Sequence, residues 1–239
     1  MKNQDLFHRL HTSMLYIKKL TPLFLLLLCF TANAQDDFRA LGESAFAVNH
    51  KVSKNYSVNF AMRSRYFLYR NATFQYTQQQ VDVFHFSTFK LNFSHDLSFG
   101  IYYRNRDLFE TGSDELRFTQ QFNYKKQKLG VRYGHRFRTE QRILDTRTIF
   151  RQRYRFAVDF PLNGEKLDIG EPYFVGSVEG LLSLSKISKP EVDQRTTAQI
   201  GWQLSETLKL QTGLEYRLEA FNTKGKNNVF VLTSAILKI

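Results

Sequence analysis

An all-β fold, a closed antiparallel transmembrane β-barrel of about 10–12 strands, is predicted by three observations. The apolar pattern has a period of two almost throughout. Its segments run longer than the strands of soluble sheets, and an export signal precedes them.

The signal occupies residues 1–34. Lys18 and Lys19 form a basic stretch, Leu20 to Phe30 an apolar run too short for a spanning helix, and Ala32-Asn33-Ala34 a small-x-small cleavage site. Met14 is an alternative start. Cleavage leaves Gln35 as the new N-terminus and one domain, an outer-membrane β-barrel over 35–239. The single cysteine, Cys29, leaves with the signal, so the barrel has no thiol for a disulfide, a nucleophile or a thiolate metal site.

Strands are expected, in order, at 39–49, 55–69, 76–93, 97–106, 114–125, 128–141, 147–160, 172–184, 193–204, 207–221 and 228–239. The second carries Tyr66, Phe67 and Tyr69 near its end, the fourth Tyr102 and Tyr103, and the fifth Phe122 and Tyr124. Such aromatics recur where a membrane strand meets the headgroups. In the sixth, Leu129, Val131, Tyr133 and Phe137 alternate with Arg132, Arg136, Arg138 and Glu140. In the seventh, Phe150, Tyr154, Phe156, Val158 and Phe160 oppose Arg151, Arg153 and Arg155. The eighth opens on Tyr173 and Phe174. In the tenth, Leu208, Leu210, Leu214, Tyr216 and Leu218 oppose Lys209, Gln211, Glu215, Arg217 and Glu219. The last alternates Val229, Val231, Thr233, Ala235, Leu237 and Ile239, ending on Ile239 where an aromatic is usual.

Short turns are read at Ser94-His95-Asp96, Lys125-Lys126-Gln127 and Ser205-Glu206-Thr207. Longer ones are read at Asp107–Ser113, Gln141–Thr146, Ser185–Val192 and Asn222–Asn227, with Pro161–Glu171 an exception to the alternation. Eleven segments sit awkwardly with the even numbers of bacterial barrels. Either 39–49 lies outside a ten-stranded ring, or a twelfth strand is hidden.

The formal charge of +12 and a pI near 9.7 would ordinarily suggest nucleic acid. Here the basic residues are spread at strand spacing behind an export signal, so no nucleic-acid partner is expected. The polar face of each strand should line the lumen. That places Glu115, Arg117, Arg132, Arg136, Arg138, Glu140, Arg151, Arg153, Arg155, Glu179, Arg195, Glu215, Arg217 and Glu219 inside, with Arg63, Arg65, Arg104 and Arg106. Arginine keeps its charge and pairs bidentately with carboxylates, so an excess of arginine must be solvated or bound to anions. Two readings follow: a small channel or binding barrel for anionic solutes, or a structural, surface-presenting barrel plugged by its own Arg–Glu ladder. An outer-membrane hydrolase is the third and weakest reading. His50 and His95 fall in turns, His135 on the outward parity and His85 beside Ser87 on an apolar face, which makes no triad. No enzyme activity, cofactor or metal site is expected. The expected partners are outer-membrane lipid and the barrel-assembly machinery of a Gram-negative bacterium.

Glu115-Leu116-Arg117-Phe118-Thr119-Gln120-Gln121, Arg136-Phe137-Arg138-Thr139-Glu140-Gln141-Arg142, Arg151-Gln152-Arg153-Tyr154-Arg155 and Glu179 after Tyr173-Phe174 together resemble the domain of unknown function 2490 family. The resemblance spans roughly residues 38–239. It implies an outer-membrane barrel and carries no catalytic residues. Where that family often has a tryptophan in its first strand, this chain has Phe38 or Phe46.

Overall fold

The computed structural model describes residues 38–106 and 114–239. The signal read at 1–34 and the loop Asp107–Ser113 lie outside the described residues. Eleven strands follow one another: β1 (Arg39–His50), β2 (Tyr56–Arg70), β3 (Thr73–Lys90), β4 (His95–Arg106), β5 (Glu115–Lys128), β6 (Val131–Leu144), β7 (Thr148–Pro161), β8 (Pro172–Ser185), β9 (Glu191–Gln203), β10 (Leu208–Glu219) and β11 (Lys226–Lys238). Each pairs antiparallel with its chain neighbours, and β1 meets β11 to close the barrel.

The closing seam is parallel, from Arg39 opposite Asn228 to Asn49 opposite Lys238. An odd number of hairpin-linked strands requires this, because the first and last then run the same way. Residues 39–49 therefore belong to the ring, and among the described residues there is no twelfth strand. The expectation of wholly antiparallel pairing fails at this seam alone. Its consequence is that β1 starts at one end of the barrel and β11 finishes at the other, hereafter the C-terminal end.

Several turns differ from the expected ones, and β4 already begins at His95, inside the turn read at Ser94-His95-Asp96. Strand β5 runs on through Lys125-Lys126-Gln127, and the chain reverses at Leu129-Gly130 with φ of 48° and 75°. Asn71-Ala72 repeats this geometry between β2 and β3, at 53° and 58°. Two successive residues at positive φ make the two-residue turn whose twist matches the flanking strands. The lysines read as a loop by composition, yet backbone pairing continues past them to Lys128 opposite Val131. Likewise Gln141–Leu144 stays in β6. The tight Asn71-Ala72 hairpin lies at the end expected to hold only longer loops.

Alternation sorts the side chains as a period of two demands. Phe60, Met62, Phe99, Ile101, Phe137, Phe150 and Leu214 are exposed on the outside. Inside, Glu115, Glu140 and Asp82 have no exposed surface. Strand β3 breaks the simple rule, since Phe84 and Phe86 point inward with Asp82 and Thr88. There they lie beneath cations, Arg63 over Phe84 at 5.3 Å and Arg138 over Phe86 at 5.3 Å. Gly100 makes room for Phe86, because a Cβ on it would stand 2.4 Å from that ring. A small apolar cluster of Leu41, Phe67, Phe230 and Leu232 sits where β1, β2 and β11 meet.

Candidate functional site: the arginine-lined lumen

Strand register decides which charges face each other, and diagonal reach decides which of them bond. Glu115 on β5 stands opposite Arg104 and two residues from Arg117 on the same face. Its carboxylate accepts from Arg142 at 2.7 and 2.8 Å, from Arg117 at 2.6 and 3.0 Å and from Arg106 at 3.2 Å. Arg104 lies 3.7 Å away. Asp82 takes Arg104 at 2.8 Å as well as the Tyr102 hydroxyl. Glu43 collects Arg65 at 2.7 Å, Arg63 at 3.4 Å and Arg217 at 3.5 Å. Arg217 also pairs with Glu215, and its guanidinium lies 3.7 Å over the Phe230 ring.

A second network crosses β6, β7 and β8. Arg153 donates Nη1 to Glu140 at 2.7 Å and Nη2 to Glu179 at 2.7 Å. Arg117 reaches Glu140 at 3.4 Å, and Arg138 lies 3.6 Å from it. Glu140 is register-paired with Arg151, and Glu179 with Arg155, yet both carboxylates bond to Arg153 instead. Arg151 turns to Ser183 at 2.8 Å, with Asp193 at 3.9 Å.

Five lumenal arginines are in no ion pair among the described residues: Arg39 and Arg147 at the end where β1 starts, and three nearer the middle. Arg136 donates only to the amide oxygen of Asn123, at 3.0 Å. The Nε atoms of Arg155 and Arg195 are buried without a hydrogen-bond partner. Among the described residues none of the three forms an ion pair. They are also close in register: Arg136 stands opposite Arg155, Glu179 lies between Arg155 and Arg195, and Arg195 stands opposite Arg217. Like charges directly opposed across a ladder repel.

Two cavities meet at this region. One, of about 480 Å³, opens through the half nearer the C-terminal end, among Asn49, Asn59, Thr88 and Ser98. The other, of about 600 Å³, lies toward the opposite end among Arg39, Arg106, Arg142, Arg147 and Lys226. Arg63, Tyr102, Arg138, Arg153, Arg195 and Arg217 line both and form the belt between them.

The predicted lumenal set is therefore brought together, with Arg132 apart. Arg132 pairs with Asp159 at 2.8 Å near the C-terminal rim, where its side chain is more than half exposed. Glu219 lines the wide cavity at the opposite end. Sequence reasoning missed Glu43, Asp82, Asp193 and Arg142. Parity with Arg138 and Glu140 was a signal for Arg142, and parity with Gln80 for Asp82, although Phe84 and Phe86 made that face of β3 look apolar. His135 is outward as expected, with Tyr154 hydroxyl at 2.9 Å. His85 Nε2 lies 3.0 Å from Ser87 Oγ, and among the described residues no carboxylate hydrogen-bonds to that histidine. No group of His, Cys, Asp and Glu suited to a metal ion occurs among the described residues.

An eleven-stranded barrel with apolar flanks and a guanidinium-rich polar interior defines the class. The model for a protein family of unknown function, DUF2490, matches residues 44–228, and the chain belongs to that family. A comparison with curated proteins finds no match.

Proposed function

We propose that the chain is an outer-membrane barrel whose lumen is a narrow pathway favouring small anions. The observation that carries this reading is a mid-lumen cluster of three arginines, Arg136, Arg155 and Arg195, that form no ion pair among the described residues. Guanidinium does not shed its proton, and an uncompensated charge in a confined space draws a counter-ion. Rings of arginine favour anions in pores for the same reason. The two cavities sharing one belt support a continuous path. The membrane part of the reading is supported by the outward apolar belt, since soluble monomers rarely expose contiguous apolar surface on that scale. The expectation of an export signal at 1–34 agrees with it.

A second reading draws on Glu115, Glu140 and Asp82, whose complete burial suits a barrel packed shut by its own ion pairs. Bilayer recordings of the refolded barrel in a potassium chloride gradient separate the two. A reversal potential on the chloride side, reduced in Arg155→Gln, is expected. Cation preference, or a folded barrel that stays silent, would overturn the pathway.

A further inference from the structure

We infer that the 480 Å³ cavity is a binding site for an oxyanion carried on a small polyhydroxylated body, the chemistry shared by sugar acids and sugar phosphates. This rests on the reading above insofar as solutes must reach the lumen.

The anion end is set by Arg136, Arg155 and Arg195, which line this cavity. Arg136 and Arg155 face each other across β6 and β7 with no carboxylate bonded to either, so like charges stand in register. The Nε atoms of Arg155 and Arg195 are buried without acceptors, while both residues line the cavity, where an oxyanion supplies the counter-charge that neither finds in the wall. Planar guanidinium forks match carboxylate and phosphate oxygens equally well.

Glu43, Glu140, Glu179 and Glu215 stand on the same wall, each bonded to an arginine other than these three. The rest of the wall is of another kind. Beyond the arginines the cavity continues past Gln199, Gln211, Asn59, Ser98 and Thr88, amides and hydroxyls that both donate and accept. Several hold one another in place: Asn59 donates to Asn49 at 2.9 Å, Gln211 to the Tyr173 hydroxyl at 2.9 Å, and Thr88 and Ser98 share a bond of 2.9 Å. Gly201 lets the Tyr173 ring lie close, since a Cβ there would stand 2.4 Å from it. Neutral groups of this sort pair with hydroxyls and give an inorganic ion little beyond what water gives it. The volume falls in the range of small-molecule pockets and far exceeds the ~30 Å³ share of one water.

Calorimetric titration of the detergent-solubilised barrel at low ionic strength tests the site without requiring conduction. The probes are glucose 6-phosphate, galacturonate, inorganic phosphate and glucose. At least one of the two sugar anions should bind ten times or more tighter than phosphate, with glucose silent, and the two sugar anions side by side tell phosphate from carboxylate. Arg155→Gln and Arg195→Gln should each weaken that ligand at least tenfold, with Arg155→Lys intermediate. Gln199→Leu should weaken the sugar anion and leave phosphate unchanged. Heat-modifiable gel migration checks that each variant is folded. Equal affinity for phosphate and both sugar anions would overturn the hydroxylated ligand. Tight binding indifferent to Arg155 and Arg195 would overturn the site while leaving the anion pathway standing. Absence of binding by every anion, inorganic phosphate included, overturns the site, and the bilayer reversal potential then decides the pathway separately.

Discussion

Arg153 donates to Glu179 along a diagonal of the sheet, at 2.7 Å, although the residue directly opposite Arg153 is Leu181. The same guanidinium holds Glu140, so one arginine occupies two carboxylates, leaving Arg155 without an ion pair and Arg151 to Ser183 and Asp193. The uncompensated charge at Arg155 thus follows from Arg153 as much as from composition. Substituting Arg153→Lys removes the fork that spans the pair, because an ammonium is a point charge. Glu179 is then expected to turn to Arg155, and Glu140 to Arg151. Anion preference in bilayers should fall even though Arg136, Arg155 and Arg195 are untouched. A reversal potential unchanged from the parent chain would show that Arg153 does not set the free charge.

Glu115 anchors the densest part of the network, with four arginines around a carboxylate that has no exposed surface. Removing one partner of a buried ion pair costs about 3–5 kcal/mol, because the remaining charges stay buried. Glu115→Gln should lower unfolding stability in lipid vesicles by roughly that amount, read from the urea midpoint. Asp159→Asn, which breaks the exposed pair with Arg132, should cost no more than about 1 kcal/mol. Equal losses in the two variants would mean that the Glu115 cluster is solvated like a surface pair.

Much of this was legible in the sequence. Alternation places Arg136, Arg138, Arg151 and Arg153 inside and Phe137, Phe150 and Tyr154 outside, because a one-residue slip would reverse every one of them. The ends of β1, β7 and β8 also fall within one or two residues of where the pattern puts them. What a period of two cannot express is the diagonal. It assigns Glu179 to a face without saying whether Arg153, Arg155 or Arg195 will bind it, and the free arginines depend on that choice. Nor does it show Glu43, set among Leu41, Gly42, Ser44 and Ala45, where small residues on both faces blur the contrast. The parallel seam was hidden for a different reason. Pattern reports each strand singly, whereas closure belongs to the count.

The seam can be tested by covalent trapping. Ser44 and Thr233 are register partners across β1 and β11, and their hydroxyl oxygens are 3.0 Å apart on the outer face. The barrel has no cysteine of its own, since the single cysteine of the chain is Cys29. Ser44→Cys with Thr233→Cys should therefore oxidise to one intramolecular disulfide within the folded barrel, seen as a mobility shift reversed by reductant. Ser44→Cys with Ala235→Cys, two residues out of register, should form it far more slowly. Equal rates, or no bond in either, would remove β1 from the ring and restore a ten-stranded closure.

The hairpin between β5 and β6 carries a local cost that a substitution should relieve. Leu129 holds φ at 48°, in the left-handed region where the Cβ of an ordinary residue crowds the following carbonyl at about 1–2 kcal/mol. Its side chain is more than four-fifths exposed, so apolar packing returns little of that cost. Asparagine tolerates the region better and precedes glycine in the turns best suited to two-residue hairpins. Leu129→Asn, which creates Asn-Gly at the tip, should raise the urea midpoint by an amount corresponding to about 0.5–1 kcal/mol. Leu129→Val, branched at Cβ and poorly suited to positive φ, should lower it. The opposite ranking of the two variants would show that the exposed leucine is held by contacts outside the barrel, with lipid or a neighbouring protein, rather than strained by its turn.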